Sequence, residues 1–118
     1  MPPHPPALGE FELVVLLAVL QLVEHDQAAY GSTIRDVIAT RANRTVARGA
    51  IYVTLDRLEA KGLLRSRFGE PSVARDNKPK RLFTLSASGL TAVRHAVALV
   101  NRMQHGLESA LLPGKVRA

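Results

Sequence analysis

The chain has 118 residues, a length typical of one domain with a single core, and 47% of them are hydrophobic. It contains no Cys and no Trp, which excludes disulfides and thiolate metal sites, indicates a mainly aliphatic core and fits a cytoplasmic location. The net charge is +6, but residues 1–34 carry four acidic and no basic residues, whereas residues 35–81 carry twelve basic and five acidic ones. This basic excess is either a solvated face or a nucleic-acid surface.

The first predicted helix is unusually apolar. Residues 1–6 contain four prolines, so we expect a disordered tail over residues 1–7, and this stretch lacks the basic residues of a secretory signal. From Gly9 to Val23 the apolar residues are nearly continuous, yet the uninterrupted run is too short to cross a bilayer. A helix that is apolar all round is buried on more than one side. It is either a central core helix or one that also packs against a second subunit.

A second helix is predicted from about Tyr30 to Arg41, because Ile34, Val37 and Ile38 follow helical spacing. Tyr30, at its start, either fills the core or reaches a phosphate through its hydroxyl. Residues 42–46 form a turn that leaves an arginine exposed.

The third helix is predicted to begin near Ala47 and to end at Gly62. Ile51, Leu55 and Leu58 lie on one face, which the fold buries, so the opposite face is presented to a partner. Glycine suits the left-handed position that follows a helix. Ala47 supplies no capping oxygen, which leaves a first-turn amide for another side chain or for a phosphate.

Two strands are predicted directly after this helix. The first spans Leu63 to Gly69 and the second spans Leu82 to Leu85. The connection over residues 70–81 is too long for a tight hairpin and carries several basic residues. Such a loop is either solvated or lies against phosphates as the wing of a winged helix-turn-helix.

Ser86 is predicted to cap a last helix that runs to about Gly106, with a tail over residues 108–118. One stripe of this helix has a coiled-coil-like spacing with a single polar member. The stripe either packs on the first helix within one subunit or forms a seam with a second copy. Its members are Val93, Val97, Val100, Gln104 and Leu107.

Four segments together resemble the PadR family of bacterial transcriptional regulators. They are Leu8–Leu13, Ala29–Gly31, Gly49–Gly62 with its Gly-Ala-Ile-Tyr-x-x-Leu-x-Arg-Leu-Glu-x-x-Gly pattern, and the basic run before residues 82–86. The resemblance covers roughly residues 8–105. It implies a homodimeric repressor that is mainly α with a two-stranded wing. The winged helix-turn-helix DNA-binding domain is expected over residues 8–85 and a dimerisation helix over residues 86–107.

The candidate contacts are distributed over these elements. Arg48 is the first choice for reading a base, because a guanidinium binds guanine through two hydrogen bonds, although a solvated arginine is the alternative. The predicted base contacts are Arg48, Gly49 and Tyr52. The predicted phosphate contacts are Tyr30, Arg44, Thr54, Arg57, Arg75, Lys78, Lys80 and Arg81. The predicted dimer interface comprises Leu13, Leu16, Leu17, Leu20, Leu90, Val93, Val97, Val100, Gln104 and Leu107.

The expected partners are double-stranded DNA with a partly palindromic operator and a second copy of the chain, without a membrane. The resemblance also implies a small apolar effector near the dimer interface, although the sequence offers few aromatic residues to bind one. No cofactor, metal site or enzymatic activity is expected, because the four histidines are scattered and no catalytic motif is present. The rival function is a protein-interaction module in which the basic surface binds an acidic partner.

Overall fold

The computed structural model describes residues 7–70 and 79–113. The elements in this part of the chain are, in order, α1 (Glu10–Glu24), α2 (Gly31–Arg41), α3 (Arg48–Ala60), β1 (Leu64–Phe68), β2 (Arg81–Leu85) and α4 (Ala87–Gln104). The predicted winged helix-turn-helix is confirmed, and each predicted element boundary lies within two residues of the observed one. Residues 1–6 and 114–118 of the predicted tails, and most of the predicted wing loop, lie outside the described residues. None of the helices described is long and apolar enough to span a membrane.

α1 is the centre of the core because it is apolar on nearly every side. It packs against α2, α3, β2 and α4. Leu16 has no exposed surface, so its assignment to the dimer interface is wrong. Its side chain is fully buried in the core of its own subunit. Leu13, Leu17 and Leu20 are half-buried on a different side of the helix.

Glu12 is a buried carboxylate at the start of α1. It accepts hydrogen bonds from the Gly9 amide at 3.0 Å and from the Lys61 ammonium at 2.7 Å, and so joins the start of α1 to the end of α3. Burial by itself would raise the pKa of Glu12, but these two donors hold that pKa below its ordinary value. The ion pair therefore fixes where α3 ends relative to the core.

α3 ends in a tight turn that leads directly into the sheet. Gly62 adopts a φ of 76°, and its amide donates to the Glu59 carbonyl at 2.9 Å. The Leu63 amide donates to the Leu58 carbonyl at 2.9 Å, which completes a Schellman motif. The predicted use of Gly62 as the left-handed residue after the helix is confirmed.

β1 and β2 form an antiparallel ribbon in which Leu64 lies opposite Leu85 and Phe68 lies opposite Arg81. The Phe83 amide donates to the Ala29 carbonyl at 2.9 Å, so β2 is also tied to the connection between α1 and α2. The ribbon is thereby anchored on both sides of β2.

α4 starts against the turn that follows α3. The Ser86 hydroxyl donates to the Gly62 carbonyl at 2.6 Å and accepts from the Gly89 amide at 3.0 Å, which confirms the predicted cap. A Cβ atom on Gly89 would lie 2.0 Å from the Leu63 carbonyl oxygen, so this approach requires glycine. Val93 is 4% exposed and belongs to the same packed end of α4, which corrects its assignment to the dimer seam.

Replacing Gly89 with Ala should lower the free energy of unfolding by about 2–4 kcal/mol, because the new methyl group meets backbone that cannot move aside easily. The matched control is Gly49→Ala, where no atom lies within 4 Å of the added Cβ. That change should stabilise the protein by about 0.5–1 kcal/mol through helix propensity. Urea unfolding of the two variants checks the prediction, and equal stabilities would contradict it.

Candidate nucleic-acid interface

A basic groove lies where the start of α2, the start of α3 and the root of the ribbon meet. It is lined by Tyr30, Ser32, Arg35, Arg48, Tyr52, Phe68, Pro79, Lys80 and Arg81. The groove brings together five of the predicted contact residues and adds residues that the sequence did not single out, notably Ser32 and Arg35. Nowhere in the described ranges do three His, Asp or Glu side chains come together as metal ligands would.

One face of α3 packs against the core, and the rest of the helix surface is largely exposed. Ile51, Leu55 and Leu58 have no exposed surface, as the helical spacing predicts. Their burial turns the beginning of the helix and its outer face toward solvent. The exposed residues are Arg48, Gly49, Ala50, Val53, Asp56, Arg57 and Ala60.

Arg48 lies in the first turn of α3 beside the ring of Tyr52. Its guanidinium carbon is 5.7 Å from the ring centroid, within the range of a cation–π contact. Tyr52 is half-buried and reaches the start of α2, where a Cβ on Gly31 would lie 2.5 Å from the Tyr52 hydroxyl oxygen. Tyr52 thus connects the two helices and supports the Arg48 side chain from one side.

Within the described part of the chain, the first turn of α3 has no side-chain cap. Ala47 occupies the N-cap position in an extended conformation, and no described side chain caps the first-turn amides. The Arg35 Nε donates to the Val46 carbonyl at 3.1 Å and holds the preceding turn in place. Unpaired amides at a helix N-terminus, together with the helix dipole, favour an anion at this point.

Arg81 joins the ribbon to α3 through two carboxylates. Its Nη1 donates to Asp56 at 2.8 Å and its Nη2 donates to Glu59 at 2.7 Å. The Ser66 hydroxyl donates to Glu59 at 2.8 Å and accepts from the Arg81 Nε at 3.2 Å. The assignment of Arg81 as a phosphate contact is corrected, because its guanidinium is already bound to two acids of α3 and to β1.

This network shifts the pKa values of Glu59 and Arg81. The Ser66 hydroxyl and the Arg81 guanidinium hold the pKa of Glu59 below its ordinary value and outweigh the effect of partial burial. Burial would lower the pKa of Arg81, but hydrogen bonds to Asp56 and Glu59 raise it. Both directions favour the charged pair in the folded protein.

Lys80 directly precedes β2, at the described root of the ribbon. Its ammonium lies over an aromatic ring rather than beside an acid. Its ammonium is 4.8 Å from the ring centroid of Tyr30, which is half-buried at the N-cap of α2. Both residues line the basic groove, so Tyr30 lies at the surface of the groove and not in the core.

The remaining predicted phosphate contacts do not line the basic groove in the described part of the chain. Thr54 is 5% exposed, so its assignment as a phosphate contact is wrong: it lies on the buried face of α3. Arg44 is exposed and pairs with Glu10 at 2.6 Å. Arg57 is exposed on α3, while Arg75 and Lys78 lie outside the described residues.

Comparison with known proteins shows the same architecture. The profile of the Transcriptional regulator PadR-like family matches residues 19–95. A PadR family transcriptional regulator from Eggerthella lenta DSM 2243 is 24% identical, with 88% of this chain and 89% of that chain covered and a TM-score of 0.60. A PadR-like transcriptional regulator from Bacillus cereus strain ATCC 14579 is 18% identical, with 89% and 93% covered and a TM-score of 0.64. A winged-helix DNA-binding protein from STIV is 17% identical, with 81% and 94% covered and a TM-score of 0.60. No curated protein matches the sequence significantly.

Replacing Arg81 with Met should destabilise the protein by about 1 kcal/mol, the upper range for a partly exposed ion pair. Because the folded pKa of Glu59 is depressed, its contribution is present above its ordinary pKa and is lost as the pH falls through the folded value. The variant should therefore lose part of the acid dependence of stability, measured by urea unfolding between about pH 6 and pH 3. The control Arg65→Met removes an exposed arginine from β1 and should keep that dependence. Identical pH profiles for the two variants would contradict the assignment.

Proposed function

This chain belongs to the PadR-like family of transcriptional regulators, and we propose that it binds operator DNA as a homodimer and represses transcription. In this proposal residues 8–85 form the DNA-binding domain and residues 86–107 the dimerisation helix. α3 enters the major groove and the ribbon lies against the neighbouring phosphates. The observation that carries the proposal is the exposed Arg48 in the uncapped first turn of α3, at the edge of the basic groove.

Base readout is assigned to the first turns of α3. Arg48 is exposed and long enough to reach the edge of a guanine, where two hydrogen bonds distinguish it from the other bases. Gly49 has open space around it, so the helix backbone can approach the groove floor closely. Tyr52 is half-buried, and its main contribution here is to support Arg48.

Phosphate binding is assigned to groups around the basic groove. The amides at the start of α3 and the Lys80 ammonium on the ribbon root point to an anion-binding surface. Tyr30 carries a hydroxyl at the same surface, and Arg57 adds an exposed charge farther along α3. Arg44 contributes by exchanging the exposed carboxylate of Glu10 for a phosphate.

Homodimerisation is proposed through the second half of α4. After the buried Ala92 and Val93, the same stripe of the helix continues with apolar residues at helical spacing that face solvent. Exposed fractions along this half are 39% for Val97, 46% for Leu99, 52% for Val100 and 71% for Met103. Ala96, Leu99, Val100 and Met103 follow i, i+3, i+4, i+7 spacing and so form one stripe. The coiled-coil interpretation of the sequence did not include Leu99 and Met103.

The partner surface for this stripe is proposed on α1. Leu13, Leu17 and Leu20 lie on one side of α1 and remain half-buried within the subunit. Leu90 is half-buried next to Leu20, where the two helices of one subunit meet. Two-fold pairing of this kind places two recognition helices on one face of the DNA, which corresponds to a partly palindromic operator.

A small apolar effector is proposed at the groove between α1 and α2. Its walls are Val14, Leu17, Ala18, Gln21, Val37, Ile38, Arg41 and Ala42, and its volume is about 240 Å³. That volume is slightly below the usual range of small-molecule pockets, roughly 300–1,000 Å³, and suits a compound of one ring. Because Leu17 belongs both to this groove and to the proposed dimer surface, an occupant would alter the pairing of the subunits.

Replacing Arg48 with Ala should weaken binding to a selected operator by about 1–3 kcal/mol and weaken random duplex DNA much less. The reason is that base contacts discriminate between sequences, whereas phosphate contacts do not. Titration of both duplexes at one fixed salt concentration measures the difference, with Arg94→Ala on α4 as the control. An equal loss on the two duplexes would make Arg48 a phosphate contact. Wild-type protein without salt-sensitive binding to any duplex would favour the protein-interaction module instead.

Replacing Val100 and Met103 with Asp should convert the dimer into folded monomers, because both side chains are exposed in one subunit and buried in the proposed pair. Operator affinity should fall with the loss of the second half-site. The matched control is Thr91→Asp with Asn101→Asp, which adds the same charge on the opposite side of α4. Sedimentation at tens of micromolar compares the two double variants. A dimeric Val100/Met103 variant, or a monomeric wild type, would remove α4 from the interface.

A further inference from the structure

Val53 is an apolar side chain that the fold presents at the centre of the exposed face of α3. It is 58% exposed, although it lies in the middle of a helix whose other large aliphatic residues are fully buried. It does not belong to the core, and it does not line the basic groove. An exposed valine of this kind, on the helix proposed to enter the major groove, indicates a contact made only in the complex.

The neighbours of Val53 make it the most protruding group on that part of the helix. Gly49 and Ala50 lie one turn earlier, and their side chains are minimal or absent. Thr54, which could hydrogen-bond a base, is buried. Asp56 is bound by Arg81 on the ribbon side of the helix. Between Arg48 and Arg57 the outer face of α3 therefore offers an apolar surface and almost no hydrogen-bonding side chain.

The major groove contains one apolar feature that distinguishes base pairs, the C5-methyl group of thymine. A valine pressed against guanine, adenine or cytosine would remove water from polar base atoms without replacing their hydrogen bonds, which is unfavourable. Against thymine it buries a methyl group instead.

We propose that Val53 selects a thymine in each half-site of the operator by packing against its C5-methyl group. This inference rests on the proposed function, because it requires α3 to lie in the major groove. Arg48 and Val53 then read different bases by different chemistry, hydrogen bonding at the start of the helix and apolar contact one turn later.

Deoxyuridine tests the proposal because it differs from thymidine only by the missing methyl group. An operator is first selected from a random duplex library with the full-length protein, and each thymine is then replaced in turn by deoxyuridine. Each half-site should contain one thymine whose replacement, made alone, weakens wild-type binding about fourfold, which is the effect of one buried methyl group. Replacement in both half-sites should weaken it about sixteenfold.

Variants at Val53 identify the protein side of the contact. Val53→Ala, which removes the contact in both half-sites, should bind the thymine operator about sixteenfold more weakly and should no longer distinguish thymidine from deoxyuridine at that position. Val53→Ile, which keeps a branched apolar side chain, should still distinguish them. The control is Val23→Ala, which trims a valine of 40% exposure near the end of α1, outside the helix proposed to read bases, and should retain full sensitivity to deoxyuridine.

The outcomes separate this inference from the function on which it rests. A selected operator whose affinity is unaffected by every deoxyuridine replacement overturns the thymine contact and leaves operator binding intact. Undiminished deoxyuridine sensitivity in Val53→Ala assigns the methyl contact to another residue and overturns the proposal as well. A library that yields no enriched sequence overturns the proposed function together with the inference.

Discussion

The geometry of the proposed DNA-binding surface depends on the bonds that Arg81 makes between the ribbon and α3. Its guanidinium holds Asp56 and Glu59, which lie one turn apart on the helix, while Ser66 of β1 completes the link to Glu59. Two rigid elements joined only by the turn at Gly62 could swing relative to each other. The hydrogen bonds that Arg81 and Ser66 of the ribbon make to α3 remove that freedom. Such a network contributes modestly to stability, since each partly exposed pair is worth at most about 1 kcal/mol. In the proposed complex its larger effect is on preorganisation, because a helix and a ribbon that already have the correct relative position lose less entropy on binding.

The secondary structure could be predicted from the sequence because its signals are local. Ile51, Leu55 and Leu58 define the buried face of α3 by spacing alone. Gly62 marks the end of the helix because it adopts the left-handed backbone conformation at less cost than other residues. The site was predicted less well, because burial and pairing depend on distant residues. Thr54 lies three positions after Ile51, which is the spacing of the buried face, but its polar side chain led to its assignment at the surface. Arg81 resembles any other basic residue of the wing until its partners, 22 and 25 positions earlier, are brought beside it.

α1 and α4 show why an apolar pattern does not identify what covers it. α1 is apolar on all sides, so no periodicity could separate Leu16, which is fully buried, from Leu17, which is half-buried. In α4 one continuous stripe performs two functions. Its first turns, including Val93, pack on the core, and Gly89 lets the helix backbone approach the chain at Leu63. Beyond Ala96 the same stripe leaves the domain and is exposed. The change from core to proposed interface is set by where the body of the domain ends, which the sequence does not encode locally.

The apolar residues exposed on α3 and on α4 differ in a way that indicates different partners. On α4 the exposed residues are large, contiguous and arranged in a stripe, which suits a helix of a second subunit and the water-excluding contact of a protein interface. On α3 a single valine is exposed between arginines, with glycine and alanine on the preceding turn. That patch is too small to hold two proteins together, and the charges around it favour a polyanion. A lone branched side chain amid cations suits a surface that is mostly phosphate and polar base edges but carries occasional methyl groups. The contrast therefore supports the proposal that α4 associates with a second copy and that α3 discriminates between DNA sequences.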